Sequence, residues 1–325
     1  MRILLFLLCF GAFSTFAQTP WDYEKIEVKS GDTTSNVVLS AVSIIDEGWA
    51  ELAHPNFWRN IMGLSPDSCI VNIAKTREII AIMSNDDWNA QSDNEKDAYR
   101  DSVRTSHGLT SEDRIFVTTG KSDFYRFDVV YPTLSEGVEA FERNNVDPWY
   151  AQAILMIESP GQMKKSRVGA YGPFQLMPRV ARAQGLTVNR YKDEREDFER
   201  SAYGASQLIK KICIPEAKRI LNAHNLEYNE NDIWFRLFVL HVYHAGAGNV
   251  NAVVAKINPE EGGQDLIREM WITTAANFGN NSQNYSQLAL ASQLILHDIV
   301  RDAEVIMDCD GITLYEGPKA KGASN

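Results

Sequence analysis

The stretch AILMIESPGQMKKSRVGAYGPFQLMP, residues 153–178, sets one acid, Glu158, directly after an apolar run and follows it with a loop rich in small residues. Upstream, Asp147-Pro148 has the form of a helix N-cap and first helical residue, so the spacing predicts a helix from Trp149 to Glu158. Its apolar positions Ala151, Ile154, Leu155 and Met156 surround the axis nearly all round, the pattern of a helix buried in a core. A glutamate at the edge of such a core loses solvation of its charged form, which raises its pKa and keeps it a proton donor near neutrality. A carboxylic acid of that kind is what protonates a glycosidic oxygen. The loop beyond, Gly169-Ala170-Tyr171-Gly172, allows a polymer backbone close approach, and Gln175 offers an amide that both donates and accepts. Taken alone, a glutamate closing an apolar helix reads more simply as a carboxylate reaching water or paired with Lys164, Lys165 or Arg167.

Three further helices follow the same logic. One opens at Ser201, with Ala202, Ala205, Leu208, Ile209 and Ile212 at helical spacing. Another runs from Asp232 to His244 and stops at Gly246 and Gly248. The last begins near Asn284 and carries Leu288, Ala291, Leu294, Ile295 and Ile299 on one face. Residues 18–120 mix short apolar runs, 36–39 and 79–83 among them, with polar turns and read as a mainly helical accessory segment of unread function. The expected architecture is mainly α, with a helical domain over residues 121–300 and a polar, frayed tail over 301–325.

Residues 1–17 read as a secretory signal: Arg2, an apolar core from Ile3 to Phe13, then small residues with cleavage expected after Ala17. The run is too short to span a bilayer, and Cys9, between bulky Leu8 and Phe10, lacks the small neighbours of a lipid-attachment site. Removing the signal takes 32 basic residues to 31 against 43 acidic ones, a formal charge of −12. Such a balance argues against nucleic acid or anionic membrane as a partner bound through bulk charge. Three cysteines remain, Cys69, Cys213 and Cys309, an odd number that leaves at least one unpaired in an oxidising compartment.

The blocks taken together carry a resemblance. Glu158-Ser159, Ser166, Gly169-Ala170, Gly172, Gln175 and Met177-Pro178 resemble the ES, S, GA, G, Q and MP positions of the soluble-lytic-transglycosylase-like domain family, whose fold is goose-lysozyme-like. YHAGAGNV, residues 243–250, is similar to that family's Tyr-Asn-Ala-Gly-x-Gly block. The acidic block at residues 193–197, ahead of Ser201-Ala202, is similar to the intervening block of the membrane-bound D-type members, and Tyr285 to the tyrosine of the last block. The chain departs from the pattern in a segment 158–166 shorter by one residue, in Pro173-Phe174 where Leu-Met is usual, and in His244 where Asn is usual.

The resemblance implies a lysozyme-like helical fold that cleaves peptidoglycan glycan strands between N-acetylmuramic acid and N-acetylglucosamine. It implies Glu158 as acid and then base, a 1,6-anhydro product, and substrate contacts from Ser166, Gln175, Tyr243, His244 and Tyr285. Plainer readings stand beside these: Ser166 as a loop-capping hydroxyl, and Tyr243 and Tyr285 as core aromatics. Asp193, Glu194 or Asp197 as a second carboxylate would make the protein a muramidase-type hydrolase, and loss of turnover would leave a silent glycan-binding scaffold. His241 and His244 sit three apart on one helix without a third ligand, and Asp308-Cys309-Asp310-Gly311 reads as a turn, so no metal and no cofactor is expected. The expected address is the periplasm, where association with outer-membrane or cell-wall machinery is compatible with export.

Overall fold

The computed structural model describes residues 21, 23–30, 34–127, 130–158, 165–166, 168–301, 304–307 and 313–316. The signal segment, Cys9, Cys309 and the 308–311 turn lie outside the described residues.

The chain is mainly helical, as its patterning predicts, yet residues 18–120 also hold five short strands. The first two, β1 (Lys25–Ser30) and β2 (Thr34–Leu39), form an antiparallel hairpin. Helix α1 (Val42–Asp46), a 3-10 turn (Trp49–Glu51) and helix α2 (Ala53–Gly63) follow. The second sheet has β3 (Ser68–Ile73) between β4 (Ile79–Ser84) and, beyond helices α3 (Asn85–Ala90) and α4 (Asp93–Ser106), strand β5 (Ile115–Thr119). Helix α4 starts at a capping box in which Ser92 and Glu95 satisfy each other's backbone N–H groups. The runs at 36–39 and 79–83 thus fall in strands, because runs this short become helix or strand according to the backbone that pairs with them.

Eight helices follow: α5 (Tyr131–Arg143), α6 (Trp149–Glu158), α7 (Pro178–Ala183), α8 (Phe198–Leu208), α9 (Ile214–Ala223), α10 (Ile233–Ala245), α11 (Ala247–Ile257) and α12 (Gln264–Ile272). The long α13 (Asn280–Arg301) closes the helical region. Between α8 and α9 the chain takes a π-helical turn, Ile209–Cys213. Pro215 lacks the N–H that would bond one turn back and its ring crowds that carbonyl, so the helix widens ahead of it. Two strands stand in the segment expected to fray: β6 (Glu304–Met307) and β7 (Thr313–Glu316) extend the first sheet in the order β2-β1-β7-β6. The open edge of β1 offers backbone donors and acceptors whatever the tail's side chains.

Helix α6 is the axis of the molecule, with every residue from Trp149 to Ile157 buried. Asp147 caps it by accepting from the Trp149 N–H at 2.9 Å and pairs with the buried Arg236 of α10 at 2.8 Å. Gln152, fully buried, bonds both backbone groups of Leu39 and donates to Gln293 at 2.6 Å, tying α6 to β2 and α13. Gly137 of α5 lets α6 close in, since a Cβ there would lie 2.4 Å from Leu155 Cδ1. The N-terminal segment shares this core: Trp58 of α2 donates to Gln287 of α13 at 3.0 Å, and Arg59 pairs with Asp298. Cys69 and Cys213 are buried free thiols.

Candidate active site

Glu158 closes α6 as a half-buried residue whose carboxyl is packed deeply enough for desolvation to push its pKa from 4.5 up to about 7. The hydroxyl of Tyr285, on α13, faces it and lowers that pKa, and it makes no regular hydrogen bond among the described residues. Burial, followed by the Glu158 charge, holds the Tyr285 phenol well above its ordinary pKa.

Two neighbours on α10 complete this corner. Tyr243 is raised likewise by burial and then by the Glu158 charge, and its hydroxyl donates to the Phe174 carbonyl at 2.6 Å. Phe174 itself is fully buried and stacked on Phe141, so one departure from the family pattern fills the core, while the backbone carbonyl at that position holds Tyr243. The His244 ring stacks on Tyr285 with centroids 4.3 Å apart. His244 has exposed surface, yet protein atoms crowd the ring enough for desolvation to lower its pKa to about 4, so it is neutral at pH 7. Gly246, at φ 81, ends α10 at once. His241 is sealed in the core, its Nε2 2.9 Å from Ser286 Oγ.

The glycine-rich loop is held from behind. Ser166 Oγ accepts from the Ala170 N–H at 2.9 Å while the Ser166 N–H donates to the Ala170 carbonyl. Gln175, at a left-handed φ of 45, donates from its amide to Gly172 O at 3.0 Å. Gly172 has no alternative, because at φ 83 a Cβ would stand 1.8 Å from the Arg195 carbonyl. Arg195 is buried; its guanidinium forks onto Asp193 and reaches the Gly169 and Leu176 carbonyls at 2.8 Å each. Glu194 accepts from Thr187 N–H and pairs with Lys192 and Arg200, while Asp197 caps α8. Asp193, Glu194 and Asp197 therefore serve local ion pairs and a cap, and Glu196 accepts from the Tyr171 hydroxyl at 3.2 Å.

A cavity of about 430 Å³ opens beside Glu158. Ile157 and Glu158, His244, and Asn280, Asn284 and Tyr285 supply the helical part of its wall. The N-terminal segment supplies Trp58 from α2, Arg77 from the β3–β4 turn and Phe116 from β5, and the stretch after residue 120 adds Lys121 and Tyr125. Among the described lining residues Glu158 is the only carboxylate. The structure thus gathers Glu158, His244 and Tyr285 at one cavity, with Tyr243 behind them, while Ser166 and Gln175 are not among its lining residues. Sequence reasoning passed over the N-terminal residues, since aromatic and basic positions tens of residues apart leave no periodic or motif signal.

No curated protein matches the chain. Residues 138–262 match the family described as Transglycosylase SLT domain, a span that includes α6, the glycine-rich loop, the acidic block and α10 but stops short of Tyr285. Over residues 138–262 this chain is therefore similar to the transglycosylase SLT domain family.

Proposed function

We propose that the protein is an exported lytic transglycosylase that cleaves peptidoglycan between N-acetylmuramic acid and N-acetylglucosamine, with Glu158 as its one acid and base. The observation that supports this most directly is the carboxyl at the end of α6, protonated up to about pH 7 and without a second carboxylate among the described residues lining its cavity. Glu158 gives its proton to the glycosidic oxygen, the C1–O bond breaks, and the N-acetylglucosamine end leaves as an alcohol. The carboxylate then takes the proton of the muramic C6 hydroxyl as that oxygen bonds to C1, closing a 1,6-anhydro ring without consuming water. Glycosidases that hydrolyse with two carboxylates need a partner about 5 to 10 Å away, and Asp193, Glu194 and Asp197 are engaged in ion pairs and a helix cap. Tyr285 and Tyr243 border the acid, and His244 presents a neutral ring to the glycan.

Mass analysis of products from purified peptidoglycan tests the reading. Anhydro-muropeptides, one water lighter than hydrolysis products and missing with Glu158→Gln, are expected. Reducing-end products would make the protein a hydrolase, and binding to the sacculus without release would make it a scaffold. The expected address is the periplasm, checked by fractionating cells and sequencing the mature N-terminus.

A further inference from the structure

Three arginines are buried among the described residues: Arg77, Arg195 and Arg236. Arg195 is paired with Asp193 and Arg236 with Asp147. Arg77 has no carboxylate partner among the described residues. One guanidinium nitrogen, Nη2, donates to Asn284 Oδ1 at 2.6 Å, and the buried Nε has no hydrogen-bond partner. The guanidinium lies over the rings of Phe57 and Trp58, 4.9 and 5.7 Å from their centroids. Burial lowers its pKa to about 10, which leaves it cationic at neutrality. Its backbone is left-handed, φ 58, at the tip of the β3–β4 hairpin, a conformation that a non-glycine residue keeps only where its surroundings impose it.

Lys121 stands on the same indole, its ammonium 5.6 Å from the Trp58 centroid, again without a carboxylate among the described residues. Two cations with no counterion among the described residues, in a chain with 43 acids to 32 bases, face the cavity that holds Glu158. Neither is among the groups that move the Glu158 pKa, which answers to burial and Tyr285. They are therefore not set to ionise the acid, a role that would undo its function as proton donor.

We infer that Arg77 and Lys121 form a carboxylate subsite that receives the acidic branch carried by the substrate's muramic acid residues. The inference rests on the reading of the protein as a peptidoglycan lytic transglycosylase. The sugar backbone of that polymer is N-acetylated and neutral, so its carboxylates are those of the peptide stem, or the lactyl carboxylate where the stem has been removed. A guanidinium gives a carboxylate charge-assisted hydrogen bonds, and an ammonium on the same cavity wall adds a point charge. Arg77 and Lys121 thereby read the branch while Glu158 cleaves the strand.

The test compares kcat/KM on three substrates: strands with native stems, the same strands with stem carboxylates converted to amides, and strands stripped of stems. Amidation is expected to lower kcat/KM roughly ten- to hundredfold, the range for losing hydrogen bonds to a charged group. Lys121→Met and Arg77→Gln are expected to collapse that native-to-amidated ratio. Lys121 is exposed, so its variant is expected to keep the fold, and the amidated substrate alters no residue, so misfolding of Arg77→Gln does not blunt the test. Stripped strands that remain good substrates and respond to Lys121→Met would identify the lactyl carboxylate as the group bound; poor ones would identify the stem. Equal cleavage of native and amidated strands together with stripped strands that Lys121→Met leaves unaffected overturns the subsite while the enzyme reading stands. Cleavage of none of the three by the unaltered protein overturns both.

Discussion

The imidazole of His244 lies on the phenol of Tyr285, ring centroids 4.3 Å apart and planes 21° from parallel, so α10 and α13 meet beside the Glu158 carboxyl. That stack holds the Tyr285 hydroxyl where it faces the acid, and it links the chemistry to helix packing.

The pH dependence of turnover follows from this corner. Glu158 must begin protonated, and its pKa is about 7, so kcat/KM should decline above about pH 7. Tyr285 lowers that pKa, so Tyr285→Phe should move the alkaline limb to higher pH as well as slowing the reaction. A pH–rate profile checks both, and a limb that stays in place or moves to acid would remove Tyr285 from the acid's surroundings.

Stability should respond to the same carboxyl with the opposite benefit. Unfolded, Glu158 takes its ordinary 4.5; folded, about 7, so the native state holds an extra proton between those values. The stability this group contributes is complete below 4.5 and is lost as pH rises through 7. Glu158→Gln should therefore be close to neutral in stability at pH 4 and stabilising at pH 8, by up to about 3 kcal/mol less whatever water in the cavity relieves. Urea unfolding at the two pH values measures it, and a gain confined to acid pH would contradict the sign.

Removing the clamp at the start of α6 should be costly. Asp147 and Arg236 are both buried and bonded at 2.8 Å, and burial pulls the Asp147 pKa up against the pull of the guanidinium. Asp147→Ala leaves an uncompensated cation and uncaps the helix, for an expected loss of about 3 to 5 kcal/mol. A loss under about 1 kcal/mol in chemical denaturation would mean the pair is not what seats α6.

Gly172→Ala asks whether the loop can give way. The added Cβ meets the Arg195 carbonyl at 1.8 Å, a backbone atom, at a φ that disfavours side chains. Overpacking and backbone strain together should cost about 2 to 5 kcal/mol, with turnover lost as the loop shifts. Native activity and melting temperature in this variant would show that Arg195 does not hold the loop rigidly.

The helix from Trp149 to Glu158 and the one that ends before Gly246 were legible because their signals are local: Asp147-Pro148 at one start, a glycine at the other stop, apolar spacing between. The strands at 34–39 and 79–84 were not, since a short apolar run declares neither a helix nor a strand until its partner strand is known. The tail misled for a related reason: β7 pairs with β1 through the backbone, which composition does not register. In the site, the glycines and the acid stood out in the sequence, while Pro173-Phe174 looked like a simple departure until the Phe174 ring proved to stack on Phe141 in the core.

By itself the sequence determined a mainly helical chain, a buried helix that ends on an acid, and a glycine loop behind it, because caps, periodicity and backbone permissiveness act over a few residues. Only the tertiary structure decided what surrounds that acid. Arg77 reaches Asn284 across 207 positions and Trp58 reaches Gln287 across 229, contacts fixed by how helices and a small sheet share one core. Burial set the pKa of Glu158, and burial belongs to the packed whole.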